Sequence, residues 1–420
     1  IFFGAVTDFG ALYASVKNEG KSMGLLIEKY IGKTGRKLFL LFCWLFTLIV
    51  IAAFADMVAG TFNAYTVKDG VTELSAAAQT NGAAGSISLL FIVFAMVFGV
   101  MQKHLHLTGW KETVAGLACT VAALAIGMAF PLVAGKDTWS YLTFAYIFMA
   151  AVMPMWLLMQ PRDYMTTFMF AGMIIGAVVG LLVAHPTMNL PVYTGFKNAK
   201  MGDMFPILFV TIACGAVSGF HSLVSSGTAS KQIKNEKNML PVSFGAMLME
   251  SMLAIIALIA VASFGQGEAA AQGLTTQPQI FAGAIANFLS VIGLPHSLVF
   301  TLINLAVSAF ALTSLDSVAR VGRLSFQEFF LDSDTDEKNM SPFQKVVTNK
   351  YFATIITLVL AYLLTKVGYA EIWPLFGSAN QLLSVLALVA CAVFLKKTKR
   401  QGCMLWIPMV FMMAVTFTAL

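Results

Sequence analysis

The densest set of residues that could do chemistry lies within an apolar stretch, residues 211–228. The stretch reads TIACGAVSGFHSLVSSGT, and Ser222, Ser225 and Ser226 follow the i, i+3, i+4 spacing that puts side chains on one helix face. Such a face can offer oxygen ligands to Na⁺ without burying a full charge, and His221 can change its protonation state near neutral pH. The stretch predicts a site for a cation or a proton. The alternative is a helix-packing face of small residues, with the histidine neutral and hydrogen-bonded.

A second segment, MWLLMQPRDYMTTF at 155–168, puts an arginine beside an aspartate at a predicted helix junction. Pro161 cannot donate a backbone hydrogen bond, and it disfavours helical geometry at the residue before it. One interpretation is an inner loop in which Asp163 is the N-cap of the next helix. The other is a gate at the cytoplasmic opening of a pathway through a membrane, with Arg162 ion-paired to a residue of another helix.

A third segment, FALTSLDSVARVGR at 310–323, groups Thr313 and Asp316 ahead of two arginines. Asp316 could simply pair with Arg320, four residues later on the same helix. Alternatively, Thr313 and Asp316 could form a second cation-coupling site.

Two further acids, Asp56 and Glu250, lie within apolar stretches. Ionisable groups inside a membrane are expensive, so Glu250 needs a partner such as His221 or Arg162. The candidates for substrate binding or gating are Gln160, Arg162, Asp163, Ser218, His221 and Glu250. Those for cation coupling are Ser222, Ser225, Ser226, Thr313 and Asp316.

A fourth segment, IWPLFGSANQLLSV at 372–385, has polar residues for which we favour a structural role. Pro374 and Gly377 predict a broken helix, and Asn380 and Gln381 predict interhelical hydrogen bonds.

The elements that position these residues must be membrane helices. The chain has 420 residues, of which 59% are hydrophobic and 11% charged, and its mean hydropathy is +0.82. Soluble domains carry about 25% charged residues, so this composition excludes a soluble enzyme, a nucleic-acid-binding protein and a disordered chain. The five cysteines lack metal-ligand spacing. We therefore predict a lipid-embedded protein without metal or cofactor, in which Na⁺ or H⁺ acts only as a coupling ion.

About twelve apolar segments approach the 20 or so residues that a helix needs to cross a bilayer. They are 1–16 (partial), 38–58, 86–102, 112–134, 140–160, 164–184, 205–227, 240–263, 297–318, 351–369, 373–395 and 404–420. The short apolar stretch 279–294 is predicted to be re-entrant or interfacial, and 319–350, with its acidic run DSDTDEK, a solvated cytoplasmic loop. Helices broken by Gly and Pro are frequent, which favours a transporter or channel.

Basic residues predict the orientation of the chain. They concentrate in alternate loops, among them 17–37, 231–237 and 396–403. Positive charge collects on the cytoplasmic side of a membrane, so these loops are predicted to be cytoplasmic.

Seven strings that follow one another in order resemble the carbon starvation protein A family of bacterial inner-membrane transporters. They are GAVTDFGALYASV (4–16), SMGLLIEKYIGK (22–33), QPRDY (160–164), TIACGAVSGFHSLVSSGT (211–228), GAMLMES (245–251), LTSLDSVAR (312–320) and WPLFGSANQLL (373–383). The resemblance spans nearly the whole chain. It implies a single all-α transmembrane domain over 1–420, similar to the amino acid–polyamine–cation superfamily with its LeuT-type inverted repeat of five plus five helices, here with extra C-terminal helices.

The resemblance leaves two registers open for that repeat. In the favoured one, 205–227 is the eighth core helix, which supplies cation-site hydroxyls, and the first core helix lies upstream of Ile1 and is missing. In the other, 205–227 is the sixth helix, which is unwound at mid-membrane, 279–294 is the re-entrant outer loop and 297–318 is the eighth helix.

The resemblance also implies peptide uptake during carbon starvation, and for some members pyruvate uptake coupled to protons. We therefore expect a cation-coupled secondary transporter of peptides, with a proton-coupled pyruvate symporter as the alternative. A membrane sensor would need an output module larger than 319–350, and a membrane enzyme would need paired catalytic groups. We expect neither.

Overall fold

The chain folds almost entirely into helices. The structure, a computed structural model, describes residues 3–68, 71–75, 77–198, 202–265, 267–274, 276–331, 340–400 and 403–419. The helices are α1 (Gly4–Val16), α2 (Met23–Tyr30), α3 (Lys33–Phe62), α4 (Ala78–Leu105), α5 (Trp110–Ala129), α6 (Lys136–Val152), α7 (Met159–Ala184), α8 (Met204–Ala216), α9 (Gly219–Gly227), α10 (Met239–Ala262), α11 (Glu268–Ala271), α12 (Gln277–Ser290), α13 (His296–Phe330), α14 (Pro342–Val347), α15 (Lys350–Thr365), α16 (Tyr369–Lys397) and α17 (Cys403–Ala419). Two antiparallel strand pairs join β1 (Tyr65–Lys68) to β2 (Val71–Leu74) and β3 (Lys197–Asn198) to β4 (Gly202–Asp203).

Seven of the described helices are long and apolar enough to cross a membrane: α3, α4, α5, α7, α10, α13 and α16. The bent pair formed by α8 and α9 makes an eighth candidate. This confirms the predicted polytopic helical bundle. The predicted spans 140–160, 351–369 and 404–420 are shorter as helices, since α6 and α17 have 17 residues and α15 has 16.

The chain divides into two compact units, each built from separated segments. Unit 1 comprises residues 1–53, 192–254 and 317–420, and unit 2 comprises 54–191 and 255–316. Helices α3, α10 and α13 contribute residues to both units.

A break in unit 1 divides the predicted span 205–227. Helical structure stops at Ala216 and resumes at Gly219, and the segments 204–212 and 214–231 differ in direction by 52°. Ser218 is extended and caps the new helix, because its hydroxyl accepts a hydrogen bond from the His221 backbone N–H at 3.4 Å. A broken helix here is what the second register expects of its sixth core helix. The favoured register gives that role to 140–160, where helical structure also stops, at Val152, and resumes at Met159, so both registers stay open. The inverted repeat itself stays a prediction.

Helix α13 continues into the region predicted as a loop. It runs to Phe330, α14 lies within the range 319–350, and α15 begins at Lys350, the last residue of that range. The sequence favours α14, because Ser341 and Gln344 form a capping box around Pro342. The acidic run DSDTDEK (332–338) lies outside the described residues, as do 401 and 402 in the loop 396–403.

Helix α16 is continuous, so the break predicted at Pro374 and Gly377 is wrong. Pro374 lies near the start of the helix, where it removes one backbone hydrogen bond. Gly377 lies against α8: a Cβ there would be 3.1 Å from Val210 Cγ1. The glycine therefore permits close helix packing and does not end the helix.

Three basic segments meet at one end of unit 1. Lys17 pairs with Glu236 at 2.7 Å, and Lys397 donates to the Tyr30 carbonyl at 2.9 Å. The segments 17–37, 231–237 and 396–400 therefore lie on the same side, as the charge pattern predicts for cytoplasmic loops.

Candidate transport site in unit 1

One histidine lies between two carboxylates in unit 1. His221 Nδ1, on α9, is 3.2 Å from Asp8 Oδ2 on α1 and 4.0 Å from Glu250 Oε2 on α10. His221 is thus one of the two partners, with Arg162, that the sequence offered for Glu250. Asp8 was not among the predicted site residues, although it is an acid within the apolar segment 1–16.

The carboxylates differ in their access to solvent. The side chain of Asp8 is 7% exposed, whereas those of His221 and Glu250 are 26% and 36% exposed. Asp8 Oδ1 is buried and has no hydrogen-bond partner in the part of the chain that the structure describes. Even with a protonated histidine, two ionised carboxylates leave this cluster one negative charge in excess. It is therefore suited to a cation or a proton.

The start of α9 is fixed to α16 by a buried asparagine. Asn380 Oδ1 accepts from the Phe220 backbone N–H at 3.0 Å, and its Nδ2 donates to Ser218 Oγ at 3.1 Å. Gln381 donates to the Phe209 carbonyl at 2.8 Å. These bonds confirm the predicted interhelical role of Asn380 and Gln381, and they orient the turn that carries His221.

Glycines allow the backbones to approach closely around this site. A Cβ on Gly219 would lie 2.4 Å from Leu383 Cβ, and one on Gly4 would lie 1.9 Å from the Ala216 carbonyl oxygen. A Cβ on Gly215 would be 3.6 Å from Glu250 Oε1, so this carboxylate lies next to the break in the helix. The cluster thus occupies the point where α1, α10 and the broken helix converge.

The serine face of α9 is largely buried. Ser222 and Ser226 are inaccessible to solvent, and Ser225 is half-buried. Ser226 Oγ donates to the Ser222 carbonyl at 2.8 Å, while Ser222 Oγ has no partner among the described residues. Ser226 also lines a cavity of about 40 Å³, together with Ser22, Ser325, Lys231 and Glu328 among others.

A different polar group lies inside unit 2. Arg162 Nη1 on α7 pairs with Asp316 Oδ2 on α13 at 2.5 Å, and the Tyr146 hydroxyl on α6 donates to the same carboxylate oxygen. The side chains of Arg162 and Asp316 are 2% and 1% exposed. The interhelical ion pair expected for Arg162 is present. The two charges balance each other, so a substrate or coupling ion would have to displace one of them.

Two other residues of the predicted group, Gln160 and Asp163, are not part of this ion pair. Helix α7 begins at Met159 after Leu158, so Asp163 is not its N-cap, and Gln160 is helical. Pro161 is tolerated because its missing N–H falls within the first turn. Gln160 and Asp163 are exposed, whereas Arg162 is buried.

Unit 2 contains further polar residues, some of which sequence reasoning missed. Asp56 pairs with Lys136 at 2.7 Å, so its carboxylate is already matched by a cation. Thr313 Oγ1 has no hydrogen-bond partner within the described residues, and neither has the amide of the fully buried Asn304. Tyr146 and Asn304 were not predicted, since lone polar residues in apolar spans carry no spacing signal.

Comparison with known proteins accounts for the whole chain. The family model "Carbon starvation protein CstA" matches residues 1–275 and 265–419. "Peptide transporter CstA" of Escherichia coli (strain K12) is 28% identical, in an alignment that covers 100% of this chain and 67% of the relative. "Pyruvate/proton symporter BtsT" of the same strain is also 28% identical, over 100% of this chain and 68% of the relative. "Peptide transporter CstA" of Bacillus subtilis (strain 168) is 28% identical, over 94% and 70%. These relatives are named as transporters, and this chain belongs to the carbon starvation protein CstA family, a family of multi-pass membrane transporters.

Proposed function

We propose that this chain takes up peptides across the bacterial inner membrane, during carbon starvation, by secondary active transport coupled to a cation. The observation that carries the proposal is the cluster of Asp8, His221 and Glu250 beside the broken helix of unit 1. Transporters place substrate and coupling-ion sites at such discontinuous helices. The relatives named as peptide transporters support the substrate class.

The charge of the cluster favours a substrate with an amino group. A peptide carries an ammonium group at its N-terminus, which the excess negative charge would attract. The half-exposed Glu250 is the more accessible carboxylate. Asp8 is buried and contacts the His221 ring. Pyruvate has no cationic group, so it would have to bind elsewhere or bind to a protonated cluster.

We propose the proton as the coupling ion, with His221 as the group that carries it. One elementary charge crossing 100 mV supplies about 2.3 kcal/mol, which supports about fifty-fold accumulation. The cavity at Ser226 is the second candidate, for Na⁺, because hydroxyls and the Glu328 carboxylate line it. The ammonium of Lys231 lines it as well and would compete with a cation, which favours the proton.

Uptake into proteoliposomes tests this proposal. The purified chain is given a labelled tripeptide or labelled pyruvate under an imposed H⁺ gradient, and separately under an imposed Na⁺ gradient. We expect the H⁺ gradient to drive accumulation of unmodified peptide. His221→Gln should abolish this accumulation, and His104→Gln, at an exposed histidine on α4, should preserve it.

Other outcomes would contradict specific parts of the proposal. Accumulation of pyruvate without peptide would overturn the substrate and favour the symporter alternative, which the name of the relative BtsT also suggests. Accumulation driven by Na⁺ alone, or unaffected by His221→Gln, would overturn the proton assignment. Release of a modified substrate would indicate an enzyme.

A further inference from the structure

A group of cations and aromatic rings lies at the end of unit 1 where α1, α2 and α16 finish. We define the basic–aromatic cluster as Tyr13, Lys29, Tyr30, Phe394, Lys397 and Arg400. The rings of Tyr13 and Tyr30 both pack against Phe394, with centroid distances of 6.2 and 5.5 Å. The cluster joins three segments that are distant in the sequence.

The cations of the cluster converge on these rings. Lys29 Nζ is 5.3 Å and Lys397 Nζ 5.6 Å from the centroid of the same ring, that of Tyr30. Arg400 donates to the Tyr13 hydroxyl. Such cation–π contacts are individually modest, but they hold the three charges near one another.

Within the described residues, none of these three cations is paired with a carboxylate. Lys29 donates to the Asn18 amide oxygen and Lys397 to the Tyr30 carbonyl, both neutral acceptors. The neighbouring Lys17 differs, because Glu236 balances it at 2.7 Å. Like charges brought together without a counter-anion repel one another, so the arrangement favours an anion bound between them.

We propose that the basic–aromatic cluster binds the phosphate group of an anionic phospholipid. Lys29, Lys397 and Arg400 are exposed, and Lys397 is the last residue of the membrane-spanning α16. Aromatic side chains at this level and basic pockets between helices on the cytoplasmic side are features of lipid headgroup sites. Arginine and lysine supply charge-assisted hydrogen bonds to phosphate oxygens. A soluble phosphate compound has the same chemistry, but the end of an apolar helix favours a lipid as its source.

Lipid titration of the purified full chain tests this site. Cardiolipin or phosphatidylethanolamine is added to the protein in detergent, and the bound lipid is counted by native mass spectrometry. We expect selective retention of cardiolipin. The variant Lys29→Gln/Lys397→Gln/Arg400→Gln should weaken it by about fivefold for each cation removed.

A matched variant separates this site from general charge attraction. Lys111→Gln/Lys234→Gln/Lys345→Gln removes the same charge at exposed positions outside the cluster and should retain cardiolipin. Equal losses in both variants, or equal binding of the two lipids, would overturn the proposal. Displacement of cardiolipin by an equal concentration of glycerol phosphate would overturn the lipid as the source. Helical circular dichroism of each variant establishes that it has folded.

Discussion

The contact between Asp8 and His221 joins a buried carboxylate to a more accessible imidazole. Asp8→Asn keeps the shape of the side chain and removes its charge, so the histidine loses the group that stabilises its protonated form. We expect accumulation driven by an H⁺ gradient to fall at least tenfold, while exchange of substrate at equal pH continues. Labelled-substrate counterflow measures the exchange. Loss of both activities to the same extent would contradict a role in coupling.

The buried ion pair in unit 2 gives a prediction about stability. Arg162→Met removes the guanidinium that lies 2.5 Å from the buried Asp316 carboxylate, which should destabilise the protein by about 3–5 kcal/mol. Arg162→Met/Asp316→Leu removes both charges and should recover most of that loss. Thermal unfolding in detergent measures the difference. A double variant as unstable as the single one would show that the pair is not the dominant interaction there.

Asn304 offers a test of whether a buried amide serves function. Its side chain is fully buried and lacks hydrogen-bond partners among the described residues, which costs stability. We expect Asn304→Leu to raise the unfolding temperature and to lower transport, because a polar group kept at such a cost is typical of a functional site. Unchanged transport in a more stable variant would assign Asn304 no role in the cycle.

Sequence reasoning found part of each polar group and missed the rest. His221, Glu250, Arg162 and Asp316 stand out as ionisable groups in apolar spans. Which of them form pairs depends on which helices pack together. The sequence therefore left two options for Arg162: an ion pair with Glu250, or an ion pair with an unidentified residue on another helix. Asp8 was overlooked because the sequence shows 1–16 only as a partial span.

At the level of elements, the short helix α9 depends on close contact with α16. Gly219→Ala would place a methyl group within 2.6 Å of three atoms of α16 and should destabilise the protein by about 1–3 kcal/mol. Gly227→Ala, at the other end of α9, meets no atom within 4 Å and should change stability little. Unfolding temperatures of the two variants test this comparison. Equal effects of the two substitutions would show that helix propensity, rather than packing against α16, determines the change in stability.

Helix positions followed from the sequence more reliably than helix ends and breaks. Apolar runs located most spans, since hydropathy reports burial in lipid. Proline and glycine were poor guides: Pro374 lies inside α16, whereas the break before Gly219 contains no proline. The Ser218 cap and hydrogen bonds with Asn380 stabilise that break. Asn380 is distant in the sequence, so no local pattern reveals its contribution.

At the scale of the whole molecule, charge distribution makes the strongest prediction. In a background without native cysteines, Lys234→Cys marks a basic segment. Gln272→Cys marks the next connecting segment, 264–278, which has no basic residue and is therefore predicted to lie on the outer side. We expect a membrane-impermeant maleimide to label Gln272→Cys in intact cells, and Lys234→Cys only after permeabilisation. The reverse pattern would invert the orientation. Composition predicted the helical membrane class of the fold, but the division into two units depends on tertiary contacts that composition does not encode.

The interleaving of the two units along the chain sets an order of events during synthesis. Asp8 and His221 are separated by 213 residues, and a ribosome adding 5–20 residues per second takes about 10–40 s to cover them. During that interval α1 enters the bilayer with a carboxylate whose histidine does not yet exist. Asn380, which fixes the histidine's helix, emerges later still. The Asp8 carboxylate of the nascent chain therefore has to be kept out of contact with lipid by the translocon until its partners have been synthesised.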